Sequence, residues 1–123
     1  RAYDIMRKYV EIRERIRPYI HKHLLIASEE GIPLMRPLFF DYPEEEFYNI
    51  FDQYMFGPDI MVCPVYEKGV RERRVVLPKG ETWIEVETGD KLRGGETINV
   101  VAPLESIPLF LREGTSLTRD LFL

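Results

Sequence analysis

The chain has 123 residues, enough for one ordinary domain and too few for two comfortable ones. Its 45% hydrophobic, 31% charged and 12% aromatic residues describe a chain with a real core, and exclude a disordered tail, a collagen-like repeat or a low-complexity linker. A net charge of −4, from 17 basic and 21 acidic side chains, speaks against a nucleic-acid partner, and apolar runs of only a few residues speak against a membrane span.

From residue 3 to residue 30 the apolar positions Ile5, Tyr9, Ile12, Ile16, Tyr19, Ile20, His23, Leu24 and Ala27 recur at helical spacing. Pro18 interrupts the pattern, which predicts a kink or two abutting helices, and Gly31 is a natural stop. Residues 32–40 read as a buried strand, although Pro33 and Pro37 suit a central strand badly and Arg36 is a charge in an oily run. Glu44, Glu45 and Glu46 read as the solvated first turn of a short helix over residues 47–56, ended by Gly57-Pro58.

Beyond Pro58 short β-rich runs alternate with turn residues. Strands are predicted at 60–66, 74–77, 82–87, at Thr97–Val101 and at 108–111, in an antiparallel sheet or small sandwich. The pattern changes near Gly57, so the fold class expected is α+β.

The candidate chemistry is sparse. Cys63 lies in an apolar run and reads as a small buried thiol; one cysteine forms no internal disulfide, and the two histidines sit far from it on a helix. His21 and His23, two apart, face differently and make a poor metal pair. Arg71, Arg73 and Arg74 are interleaved with Glu72 beside a turn and read as a solvated hairpin. Gly94-Gly95 lacks the spacing of a phosphate loop. Trp83, in an alternating strand, is either a sugar-stacking platform or, the reading preferred, a cover over the open end of a core. Arg36, if buried, requires a carboxylate such as Asp41 or Asp52. These residues assemble no catalytic, cofactor or metal site.

Several strings in order carry a resemblance. They are Arg17-Pro18-Tyr19-Ile20, Ala27-Ser28-Glu29-Glu30-Gly31-Ile32-Pro33 and Met35-Arg36-Pro37-Leu38-Phe39-Phe40-Asp41-Tyr42-Pro43. After them come Asp52-Gln53-Tyr54-Met55-Phe56-Gly57-Pro58-Asp59-Ile60, Leu77-Pro78-Lys79-Gly80, Trp83, Thr88-Gly89, Ala102-Pro103-Leu104, Ile107-Pro108 and Arg112-Glu113-Gly114. Together they resemble the C-terminal part of glycoside hydrolase family 31, the α-glucosidase and α-xylosidase group. The resemblance implies that residues 1–56 are the end of a (β/α)₈ barrel, including its last helix and its last strand at residues 33–40. It implies that residues 57–114 are the proximal C-terminal β-sandwich. The stretch 115–123 leaves the family's pattern, as does Glu87, where a second aromatic often follows Trp83.

The family cleaves α-glycosidic bonds with retention, through two aspartates whose carboxyl groups must flank the sugar about 5–5.5 Å apart. In the family both lie upstream of the part matched here, so the resemblance transfers neither to any residue of this chain. A fragment of an α-glycosidase, not catalytic by itself, is the expectation, its carbohydrate partner reached through the parent enzyme. A stand-alone β-sandwich that binds carbohydrate or protein is the alternative. The chain opens on Arg1 with no signal-peptide pattern, so residue 1 need not be the natural start, and the cytoplasm is the expected compartment. An orphaned barrel strand and helix face would leave residues 1–56 loosely ordered or drive self-association.

Overall fold

The computed structural model describes residues 2–50, 52–64, 72–101 and 107–123. Two helices open the fold, α1 at Ala2–Arg15 and α2 at Arg17–Glu30. They abut at Ile16, whose N–H still donates to Ile12 O at 3.0 Å and whose carbonyl accepts from Ile20 at 3.0 Å. Pro18 lies in the first turn of α2, where its missing N–H costs no helical hydrogen bond. Gly31, at φ 72°, ends α2 in the left-handed conformation.

Among the described residues eight strands follow: β1 (Met35–Pro37), β2 (Tyr54–Phe56), β3 (Ile60–Val62), β4 (Glu72–Val76), β5 (Thr82–Glu85), β6 (Lys91–Arg93), β7 (Thr97–Val101) and β8 (Leu109–Arg112). Six form one antiparallel sheet in the order β1-β2-β3-β8-β5-β6, and β4 pairs with β7 as a second, two-stranded sheet. The register sets Met61 beside Phe110 and Ile84 beside Leu111, so alternate residues address opposite faces.

One face presents Met55, Met61, Trp83 and Phe110 to Val75, Leu77 and Val100 of the β4–β7 segment, which makes the sandwich core. The other face presents Ile60, Val62 and Leu111 to Ile12, Ile16, Tyr19 and Ile20 of the helices. The protein is thus three layers: helices, large sheet and small sheet.

Gln53 joins the two sheets. Its side-chain amide donates to Val76 O at 2.8 Å and accepts from Val76 N–H at 2.8 Å, as a neighbouring strand would. Arg73, its side chain only 8% exposed, reinforces the joint by pairing with Asp52 at 3.1 Å and donating to Pro64 O at 2.6 Å. The solvated reading of the basic run therefore fails for Arg73 and holds for Arg74, which is exposed. Arg71 lies outside the described residues, as do residues 65–66 of the stretch expected as a strand over 60–66 and Ala102-Pro103-Leu104.

Two expectations need correction. The strand expected over residues 32–40 is limited to Met35–Pro37, after which Leu38–Asp41 makes one helical turn, α3. Prolines at 33 and 37 remove donors on either side, so a longer ladder cannot form. Among the described residues β1 pairs with β2 alone, antiparallel, at the sheet's edge. The helix expected over 47–56 is a 3₁₀ turn at Glu45–Phe47 followed by β2, because Tyr54, Met55 and Phe56 gain more by pairing with β3 across the Gly57-Pro58 turn. Lys91–Arg93, where no strand is expected from the sequence, pairs with β5. The large sheet also runs through Gly57: β1 and β2 precede it, while β3, β8, β5 and β6 follow.

The apolar helix face is not left without a partner. Ile12 and Ile16 are each 6% exposed beneath the sheet, although Leu24 is half exposed; the Ile5 side chain is outside the described residues.

Candidate functional site

Arg36 is the buried cation that the sequence singled out. Its Nε donates to Asp41 Oδ2 at 2.8 Å and its Nη2 to Asp41 Oδ1 at 3.0 Å, a bidentate pair. Nη1 donates to Pro33 O at 2.9 Å, and the guanidinium lies 5.2 Å from the Phe40 ring. Of the two acids proposed as partner, Asp41 is the one used; Asp52 holds Arg73. The turn of α3 brings Asp41 back over β1, so the short strand and the helical turn are one device.

A second polar seam lies between the helices and the sandwich, and the sequence reading did not assemble it. Tyr19 of α2 donates its hydroxyl to Phe56 O at 3.3 Å and accepts from Asp59 N–H at 3.1 Å. The intervening Gly57, at φ 68°, lies so close that a Cβ there would fall 2.2 Å from the Tyr19 oxygen. The Asp59 carboxylate is bound by Arg112 of β8, whose Nε lies 3.0 Å away and whose Nη2 makes a second, shorter contact. Arg112 also faces Glu81 at 3.7 Å, and Glu81 accepts from the Tyr42 hydroxyl at 3.3 Å. Tyr42 in turn meets the edge of Trp83, centroids 5.9 Å apart. One signal was available: Arg112 follows the apolar run Leu109-Phe110-Leu111, as Arg36 follows Leu34-Met35.

The electrostatics hold these groups in fixed charge states. Burial pushes the Tyr19 hydroxyl well above its ordinary pKa, against the hydrogen bond from Asp59 N–H. Burial and the Glu81 carboxylate do the same to Tyr42. Burial alone would weaken the Arg112 cation, but its hydrogen bond and charge interaction with Asp59 outweigh it and raise its pKa. Asp41, Asp52 and Asp59 are each engaged by an arginine. The seam ties the helices to the sandwich, and among the described residues it presents no pair of free carboxylates across an open pocket.

The remaining candidates resolve as follows. Trp83 is fully buried and donates its indole N–H to Pro78 O at 3.0 Å, so it is a core residue and not a sugar platform. Cys63 is buried, and desolvation pushes its thiol up to about 12, which keeps it protonated and unreactive. His23 is buried against Tyr19, ring centroids 4.5 Å apart, whereas His21 is exposed. Glu45 and Glu46 are exposed, but Glu44 Oε2 is enclosed with no hydrogen-bond partner among the described residues. Gly94 and Gly95 close a turn by donating to Glu81 O and Leu77 O at 2.9 and 2.7 Å. Among the described residues no three histidines, cysteines or acids are grouped to hold a metal ion.

Residues 31–117 match the Glycosyl hydrolase family 31 C-terminal domain. This chain belongs to glycoside hydrolase family 31. It is 34% identical over 114 residues to Alpha-glucosidase 2 of Bacillus thermoamyloliquefaciens, covering 92% of this chain and 14% of that protein. To the Alpha-xylosidase of Saccharolobus solfataricus it is 37% identical over 115 residues, covering 93% and 16%. Its fold superposes on a GH31 alpha-xylosidase from a soil metagenome, complexed with xylose, with a TM-score of 0.88 and 50% identity, over 93% of this chain and 17% of that one. The family member described here therefore spans about one-sixth of the length of such relatives, and an antiparallel sandwich is what it shares with them.

Proposed function

We propose that this chain is the C-terminal part of a retaining α-glycosidase acting on α-glucosides or α-xylosides, and that both catalytic aspartates lie outside these residues. The observation that carries the reading is the match of residues 31–117 to the family's C-terminal domain in a chain spanning 14% and 16% of an α-glucosidase and an α-xylosidase. The engagement of Asp41, Asp52 and Asp59 by arginines supports it, because a nucleophile and a general acid must face the sugar free of such partners. In this reading residues 1–56 are the end of the barrel, residues 57–114 the proximal sandwich, and β1 and β2 tie the one to the other. The stand-alone carbohydrate-binding alternative loses its main support with the burial of Trp83.

The isolated chain is expected to release no nitrophenol from nitrophenyl α-glucoside or α-xyloside, while the product of the full reading frame around Arg1 hydrolyses one of them. Turnover by the isolated chain that disappears on mutating one of its own aspartates overturns the reading; so does a full frame without two further aspartates. Leu24, Leu25, Met35 and Phe40 are 45–57% exposed on neighbouring parts of α2, β1 and α3. We propose that the isolated chain self-associates through them, in line with the tendency of uncovered apolar edges. A strict monomer by light scattering at high concentration overturns that part.

A further inference from the structure

We propose that residues 115–123 form a strap that fastens α1 to the outer face of the large sheet along one edge of the apolar cleft between them. The inference is independent of the proposed activity, and the family match ends at residue 117, before most of the strap. After β8 the chain turns at Gly114, runs back across the sheet and makes one 3₁₀ turn at Arg119–Phe122.

The strap is pinned at three points. Phe122, 3% exposed, packs in one cluster with Ile12 of α1, Ile16 at the helix junction, Val86 just past β5 and Leu111 of β8, with Leu117 and Leu121 alongside. Arg119 reaches the sheet: its Nε donates to Val86 O at 2.6 Å and its Nη2 to Glu87 O at 3.1 Å. It passes Gly89, where a Cβ would stand 3.0 Å from the guanidinium. Arg15, at the end of α1, reaches the strap from the other side, donating to Leu123 O at 3.0 Å and Leu121 O at 3.4 Å. One arginine thus runs from helix to strap and another from strap to sheet. Beside them lies an apolar cleft of about 580 Å³, lined by Ile12, Ile16, Ile60, Val62 and Leu109, to which the strap contributes Phe122.

Two cations acting through one connector make a linked device: releasing either end removes this anchorage of α1 and leaves the Tyr9 hydroxyl, which accepts from Ile107 N–H at 2.7 Å, as a remaining polar tie. The test is hydrogen exchange on the full chain with Arg15→Gln, Arg119→Gln, their double variant and Phe122→Ala. Each variant is expected to speed exchange of α1 amides about tenfold while β3 and β8 exchange as before. Binding of a hydrophobic dye should rise in parallel as the cleft opens. The double variant should match the single ones, because a strap freed at one end has nothing left to lose at the other. Unchanged α1 exchange, equal acceleration in α1 and β3, or additive effects of the two arginine variants would each overturn the strap.

Discussion

Toward β4 and β7 the large sheet presents Met55, Met61, Trp83 and Phe110, each with no exposed surface. Toward the helices it presents Ile60, Val62, Leu109 and Leu111 beside a cleft of about 580 Å³. The first face is closed by interdigitated side chains at interior density, the arrangement that makes a fold insensitive to its surroundings. The second is held by a few directional contacts, Tyr19 over Gly57, Arg112 on Asp59, Arg15 and Arg119 on the strap, with apolar packing between them. The lesson is about where stability resides. The sandwich half holds the fully buried side chains, and the helical half joins it through a second apolar cluster and a set of named hydrogen bonds.

The largest expected effect lies on the closed face. Trp83→Ala removes a fully buried indole and its bond to Pro78 O, and should cost about 4 kcal/mol. Denaturant unfolding should show helices and strands lost together. If α2 stayed protected while the sheet melted, the ranking of the two faces would be reversed.

Next in size is Arg36→Met, which leaves Asp41 without its bidentate partner and should cost roughly 3 kcal/mol. The Asp41 carboxylate retains some solvent contact, which places the loss below that of Trp83→Ala. A melting temperature unchanged within error would mean that solvent replaces the pair without cost.

Gly57→Ala probes the helical side. The substitution forces a side chain into a left-handed position against the Tyr19 hydroxyl and should cost about 2 kcal/mol. Exchange in α2 should rise before exchange in β3, because the latch is broken and the sandwich is not. Simultaneous loss in both would show that the halves unfold as one.

The smallest effect is a pH dependence. Burial and the Lys22 charge lower the His23 pKa from its ordinary 6.5, against the pull of Asp59. Below pH 6.5 the unfolded chain takes up a proton that the folded chain refuses, so this contribution is full above 6.5 and is lost as pH falls through the folded value. Glu85, whose pKa burial raises, works in the opposite sense, so the comparison must be made between variants. His23→Gln should flatten the fall in melting temperature between pH 7 and pH 5. Parallel pH profiles for the two proteins would remove His23 as the cause.

What was legible in the sequence follows the same division. Thr97–Val101 was read with its observed boundaries, and a buried Arg36 paired with a nearby carboxylate followed from the cost of an isolated charge. β1 and β2 were misjudged because three-residue strands carry too little periodicity to outweigh Pro33, Pro37 and the acidic turn that precedes Tyr54. The seam from Tyr19 through Asp59 and Arg112 to Tyr42 was illegible for a different reason. Its members are 40, 53 and 39 positions apart where they bond, and no local spacing announces them. The strap was visible only as a departure from pattern; Phe122 acquires meaning from α1, more than a hundred residues away.

Gln53 has a consequence for assembly of the two sheets. Along a strand, successive peptide groups point to opposite sides, and here Leu77 N–H turns to Glu96 O at 2.9 Å while Val76 offers both its groups to the Gln53 amide. A slip of β4 by one residue would present peptide groups aimed away from that amide and leave it, 2% exposed, with only the weak Met61 Sδ acceptor at 3.3 Å. A single side chain therefore proofreads the parity of the small sheet, accepting every second register and rejecting those between.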